Sequence, residues 1–155
     1  MNIIIAGIGG QGTILASNVI CDVLLEQGYD VKKSEIHGMS QRGGSVISHV
    51  RFSKTGKVYS PMVSLKDADI VLSFHPNETR RYAHLAKDSA LVIELNDADK
   101  KKLSNPRSLN MYGVGILSKA LGIEEKVWIA TIKKLLKPKI QEENLSAFLL
   151  GSQGA

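Results

Sequence analysis

The sequence predicts a three-layer α/β/α domain. Its sheet is mostly parallel and Rossmann-like, carries an inserted antiparallel hairpin, and is followed by C-terminal helices. Three observations predict this. Residues 2–6 (NIIIA) form a short, continuous, β-branched apolar run, as a strand buried on both faces requires. A glycine turn and an apolar helical pattern follow at once, and a second such pairing of strand and helix begins near residue 69. Between them, an alternating stretch at 45–52 runs into Lys54-Thr55-Gly56-Lys57, a hairpin turn signal, and 58–63 reads as the return.

Each element follows in order. After the strand at 2–6, Gly7-Ile8-Gly9-Gly10-Gln11-Gly12 makes the first turn, and a helix is predicted over 13–27, ended by Gly28. In that helix Asn18, Asp22 and Glu26 form one polar stripe and nearly everything else is apolar. So narrow a stripe predicts cover beyond the sheet side, from another layer of the chain or from a partner. Residues 30–36 read as a strand, 45–52 as the next, and 58–63 as its hairpin return. Residues 69–74 (DIVLSF) are a buried strand, Pro76 opens a helix running to about 86, and 90–95 form another strand. Residues 96–109 are a lysine-rich link. Helices are expected at 110–121, at 124–137 with acids first and lysines last, and at 140–150, closed by Gly151.

A chain of 155 residues implies one domain, here residues 1–150 with a loose tail at 151–155. The net charge of +5 sits largely in Lys100-Lys101-Lys102 and in Lys133, Lys134, Lys137 and Lys139. No aromatic residues interleave with them, so they read as solvated helix faces and no nucleic-acid partner is expected. The single cysteine, Cys21, lies in an apolar helical pattern and reads as a small buried hydrophobe. One thiol cannot ligate an iron–sulfur cluster or a structural zinc alone. With no signal-peptide pattern and no apolar span of membrane length, the expectation is a cytoplasmic protein with no membrane partner.

Gly7, Gly9 and Gly12 have the G-x-G-x-x-G spacing between strand and helix, where free helix N–H groups can meet an anion. Glu35 stands near where a ribose-binding acid is expected. A stand-alone NAD(P)- or flavin-binding oxidoreductase is therefore one reading; close helix–strand packing with no cofactor is another. Gln11 and Thr13 add polar groups at the helix start that suit an anion or a partner loop equally.

The second glycine-rich stretch, His37-Gly38-Met39-Ser40-Gln41-Arg42-Gly43-Gly44-Ser45, is more specific. Gly38, Gly43 and Gly44 let backbone lie flat against another surface. The guanidinium of Arg42 suits phosphate or carboxylate, and Gln41 and Ser45 add neutral hydrogen bonds. A recognition loop and a rigid internal turn both fit these residues.

Together with Ser34-Glu35-Ile36, this stretch closely resembles the signature of the gamma-type domain of 2-oxoacid:ferredoxin oxidoreductases, in particular the small (beta) subunit of indolepyruvate:ferredoxin oxidoreductases. The likeness extends to Gly7-Ile8-Gly9-Gly10-Gln11-Gly12, His49-Val50-Arg51-Phe52, Val58-Tyr59-Ser60-Pro61, Asp67-Ala68-Asp69, Asn110-Met111 and Glu142-Glu143-Asn144-Leu145-Ser146-Ala147-Phe148. It departs at 96–109, which is shorter than the family's usual segment.

The resemblance implies a subunit of an enzyme that turns a 2-oxoacid, indolepyruvate or pyruvate, and coenzyme A into acyl-CoA and carbon dioxide, with electrons passed to ferredoxin. It implies thiamine diphosphate and iron–sulfur clusters on a large catalytic partner, none bound by this chain alone, and coenzyme A as co-substrate. No catalytic residue and no metal ligand are expected here. The site residues it implies, for cofactor or subunit contact, are Gly7, Gly9, Gly10, Gln11, Gly12, Glu35, His37, Gly38, Met39, Gln41, Arg42, Gly43, Gly44 and Ser45. The loop would face the catalytic subunit or the phosphates of coenzyme A. A homodimer of the isolated chain and a non-catalytic regulatory relative are further readings.

His37 and His49 flank the loop, and structural hydrogen bonding is expected of both. His75 belongs to a helix cap, His84 to an exposed face, and Trp128, in line with Ile132, to the core.

Overall fold

A computed structural model describes residues 1–38 and 44–154. The elements run β1 (Asn2–Ile8), α1 (Thr13–Glu26), β2 (Asp30–His37), β3 (Ser45–Ser53), β4 (Ala68–Ser73), α2 (Pro76–Arg81), β5 (Ala86–Glu94), α3 (Asp97–Lys100), α4 (Leu109–Leu121), α5 (Glu125–Leu135) and α6 (Pro138–Gly154). They form one five-stranded sheet in the order β2-β3-β1-β4-β5. β1 pairs with β4, and β4 with β5, in parallel. β3 is antiparallel to both of its neighbours, β1 and β2. Four strands thus share one direction and β3 alone opposes them, so the ladders divide two and two.

The layers on the two faces are unequal. Ile3, Ile5, Val50, Phe52, Ile70, Leu72 and Ile93 point to the helical face, where they pack with α1 and α4 and, beyond these, with Trp128 and Ile132 of α5 and Phe148 of α6. The wide apolar surface of α1 is taken by α4 and α5 of the same chain, and Lys134 of α5 meets Asp22 on its polar stripe at 3.6 Å. On the other face Ile4, Ile47, Val63, Ala68, Val71 and Leu85 form a small cluster beneath Tyr82 and an extended strap, residues 58–65.

Four expectations need correction. Residues 58–63 pair with no strand, because both edges of β3 are already occupied, by β1 and β2. The hairpin is β2–β3, closed by the Gly38 N–H on the Ser45 carbonyl at 2.6 Å. The helix from Pro76 stops at Arg81, and a single 3-10 turn over Ala83–Leu85 leads into β5, which begins at Ala86 because that residue already pairs with Ala68 of β4. The lysine-rich link contains α3, whose start is closed by a capping box of Asn96 and Asp99. Gly151 does not cap α6, which continues to Gly154. Instead Gly151 lies where α6 crosses α4: a Cβ there would sit 2.1 Å from the Tyr112 carbonyl oxygen, and one at Gly115 would sit 2.1 Å from that of Phe148. The helices touch backbone to backbone.

Candidate functional site at the carboxyl edge of the sheet

β1 and β4 lie side by side, but their chains leave in opposite directions, β1 through α1 toward β2 and β4 through α2 toward β5. Such a reversal opens a crevice beyond the carboxyl ends of the strands. The first glycine turn forms its wall. Gln11 stiffens it by accepting from the Ile8 N–H at 2.7 Å and donating to the Phe74 carbonyl at 3.2 Å. Gly12 has φ +79°, and a Cβ there would collide with Asn110, whose side chain donates to the Gly12 carbonyl at 3.3 Å. Only glycine meets both demands.

α1 begins at Gly12 with no side-chain cap, so its first N–H groups are available to an anion. A hollow of about 220 Å³ lies against this turn, lined by Gly10, Gln11, Lys100, Pro106, Arg107 and Leu109. Lys100 also bonds Asp97 at 3.0 Å, which holds that carboxyl below its usual range. A larger groove of about 680 Å³ runs between residues 102–108 and α6, but neither glycine stretch borders it.

The structure brings the two glycine stretches together. The Gly9 N–H donates to the Gly44 carbonyl at 2.8 Å. Ser45, next in the chain, bonds Glu78 of α2 at 2.6 Å and the Tyr82 hydroxyl at 2.6 Å. Gly7, Gly9, Gly10, Gln11, Gly12, Gly38, Gly44 and Ser45 therefore share one edge of the sheet. His37 is exposed at the end of β2, opposite Val46. Met39, Gln41, Arg42 and Gly43 lie outside the described residues.

Glu35 does not join this edge. Its register partner is Ser48, which in turn pairs with Ile5, so it sits at mid-strand with β3 between it and β1. That places it about 10 Å sideways from β1 at the usual strand spacing. Its carboxylate is paired with Lys33 at 2.7 Å, and Lys33 also bonds Asn18 of α1. A ribose seated on the first glycine turn is out of its reach.

His49 is buried and its Nδ1 accepts from the Val63 N–H at 3.0 Å, fastening the strap to β3; burial holds its pKa below the ordinary value. His75 caps α2 through Nδ1. Cys21 is buried, and burial pushes its thiol up to about 11, away from the reactive thiolate. Among the described residues no group of three or more His, Cys, Asp or Glu is arranged to hold a metal ion, and no helix is long and apolar enough to cross a membrane. Sequence reasoning missed Glu78, Asn110, Lys100 and Arg107 as members of this edge. A polar Asn at the head of an apolar helix, and an acid just after a proline helix start, were the available signals.

Comparisons with known proteins bear on this geometry. Residues 2–101 match the family model described as pyruvate ferredoxin/flavodoxin oxidoreductase. The chain is 48% identical over 92 residues to indolepyruvate oxidoreductase subunit IorB of Thermococcus kodakarensis, a match covering 59% of this chain and 45% of that relative. The match thus spans less than half the length of that relative. It is 30% identical over 166 residues to 2-oxoglutarate synthase subunit KorC of Archaeoglobus fulgidus, covering 97% of this chain and 86% of that one. A solved 2-oxoglutarate:ferredoxin oxidoreductase from Magnetococcus marinus, with 2-oxoglutarate, coenzyme A and succinyl-CoA bound, contains the same fold: TM-score 0.85 at 19% identity, over 100% of this chain and 31% of that one.

Proposed function

Because the chain belongs to the pyruvate ferredoxin/flavodoxin oxidoreductase family, we propose that it is the small, gamma-type subunit of a 2-oxoacid:ferredoxin oxidoreductase. It completes a complex in which a large partner oxidatively decarboxylates the oxoacid, forms the acyl-CoA and passes electrons to ferredoxin. Thiamine diphosphate would be held by that partner and would supply the decarboxylation chemistry. Iron–sulfur clusters on the same partner would supply the electron transfer. Indolepyruvate is the first oxoacid to test, from the identity to IorB, and 2-oxoglutarate follows from the likeness to KorC; pyruvate is the third.

The observation that carries this reading is the Gly9–Gly44 contact. It joins both glycine stretches into one rigid edge beside a cationic hollow, without a ribose acid in place. Such an edge binds and orients. Gly10 and the start of α1, with Lys100 and Arg107, offer donors and positive charge to the phosphates of coenzyme A. Arg42 belongs to the reading through its chemistry alone, as a guanidinium for a phosphate or for a partner's carboxylate. The strap adds an apolar contact surface: Tyr59 is 87% exposed and Leu65 71%, although the Val58 and Val63 N–H groups and the Ser60 carbonyl are pinned by Asp30, His49 and Arg51. Through these same side chains the isolated chain would self-associate.

Reconstitution tests the proposal. Coenzyme A-dependent ferredoxin reduction is expected only when this chain and the large subunit are mixed. Turnover by the chain alone, or tight binding of NAD, NADP or a flavin in calorimetry, would instead support the stand-alone oxidoreductase. Association without any effect on turnover would point to a regulatory relative. Arg42→Ala is expected to weaken association or raise the apparent KM for coenzyme A about tenfold.

A further inference from the structure

Among the described residues Glu78 is the one acidic side chain that the fold buries outright at the carboxyl edge, with 3% of its surface exposed. Burying a carboxylate is costly, and an apolar residue of similar size would pack a six-residue helix as well. What it contacts explains its presence. The Ser45 hydroxyl lies 2.6 Å from Glu78 Oε2, the Tyr82 hydroxyl lies 2.6 Å from the same Ser45 oxygen, and Arg81 Nε lies 3.5 Å from Oε1.

The polarity of this chain of bonds is determined. A carboxylate only accepts, so the single Ser45 proton goes to Glu78, and Tyr82 must donate to Ser45. The Ser45 side chain is thereby locked from both sides. Its own carbonyl closes the β2–β3 hairpin on Gly38, and the carbonyl of its neighbour Gly44 receives the Gly9 N–H. Three segments that come from distant parts of the sequence are thus tied at one point: the first glycine turn, the base of the second glycine stretch, and the helix that follows β4.

We infer that Glu78, aided by Tyr82, is a positioning residue of this edge. Through Ser45 it sets how Gly44 meets Gly9, and so the affinity of the edge for what it binds. This rests on the function proposed above, where the ligand is coenzyme A or the large subunit.

The test uses Glu78→Ala, Glu78→Gln and Tyr82→Phe, each studied as the isolated chain and in the reconstituted complex. Glu78→Ala is expected to raise the apparent KM for coenzyme A, or the Kd for the large subunit, about tenfold with little change in kcat. Glu78→Gln, which can still accept from Ser45, should restore most of the loss. Glu78→Ala combined with Tyr82→Phe should be no worse than Glu78→Ala alone, since both act through Ser45. In the isolated chain the Gly9 amide should exchange about tenfold faster in Glu78→Ala, with β1 core amides unchanged. Unchanged Gly9 exchange, or a lowered Tm with KM and Kd both at wild-type values, would overturn the inference. If wild-type chain and large subunit fail to associate or turn over, the function proposed above is what fails, and the exchange measurement on the isolated chain still decides the role of Glu78.

Discussion

On one face of the sheet, α1 and α4 lie on the strands and α5 and α6 close over them, sealing Trp128, Ile132 and Phe148 beyond the first layer of helices. On the other face, five buried residues sit with Val63 of the strap under Tyr82, and the strap leaves Tyr59, Met62 and Leu65 in solvent. The thick face buries the larger apolar core, with polar side chains such as Asn110, Ser118 and Asn144 bonded within it. The thin face joins a small apolar cluster to specific hydrogen bonds, such as the Val63 N–H to His49 and the Ser45 hydroxyl to Glu78, and leaves apolar side chains exposed. Stability and recognition are thus assigned to opposite sides of the same five strands.

Substitutions that act on only one side sharpen or break this contrast. The largest effect is expected at Trp128, which is fully buried with its ring 6.0 Å from that of Phe148. Trp128→Ala should cost about 4 kcal/mol, measured by urea unfolding, with a drop in Tm of roughly 10 °C. A loss below about 1 kcal/mol would mean that the thick face is not the seat of stability.

Gly151→Ala comes next. Alanine favours a helix over glycine, so any loss is packing alone. With the added Cβ 2.1 Å from the Tyr112 oxygen, α4 and α6 must part, at about 3 kcal/mol. A neutral or stabilising result would show that the crossing is loose.

The thin face should respond to pH. Burial depresses the pKa of His49, so the unfolded chain binds its proton more readily. His49 therefore adds stability that is complete above its unfolded pKa, about 6.5, and is lost as pH falls from there toward its folded pKa. Protonation also turns Nδ1 from acceptor to donor and frees the Val63 N–H. Tm measured from pH 7.5 to 5 should fall less steeply in His49→Gln than in the wild type.

The smallest stability effect is expected at the strap. Tyr59→Ala with Leu65→Ala should change stability by no more than about 0.5 kcal/mol. The same pair should weaken binding to the large subunit about tenfold in calorimetry. Wild-type affinity in this variant would remove the thin face from the proposed interface.

Much of this molecule was legible in local pattern. The run NIIIA, the helix after Gly12 and the last two helices carry their periodicity within single windows, and their observed spans differ from expectation by a few residues. The glycine-rich stretch before β3 was conspicuous for its residue types, and its family resemblance holds. The strap was misread because residues 58–63 follow a hairpin turn signal, and a turn signal does not say whether a partner edge is free. Glu35 was drawn into the site by its distance along the chain, which takes no account of β3 lying between β1 and β2.

By itself, then, the order of amino acids determined most of the strands and longer helices and the family the chain joins, because those signals are short-range and chemical. Only the tertiary structure decided which strand edges were occupied, that two helices cross on Gly115 and Gly151, and that Glu78 reaches Ser45. Apart from the β2–β3 hairpin, those outcomes depend on contacts between residues 30 or more positions apart. No local window contains them, because the partner that satisfies a buried group is set by how the whole chain closes around it.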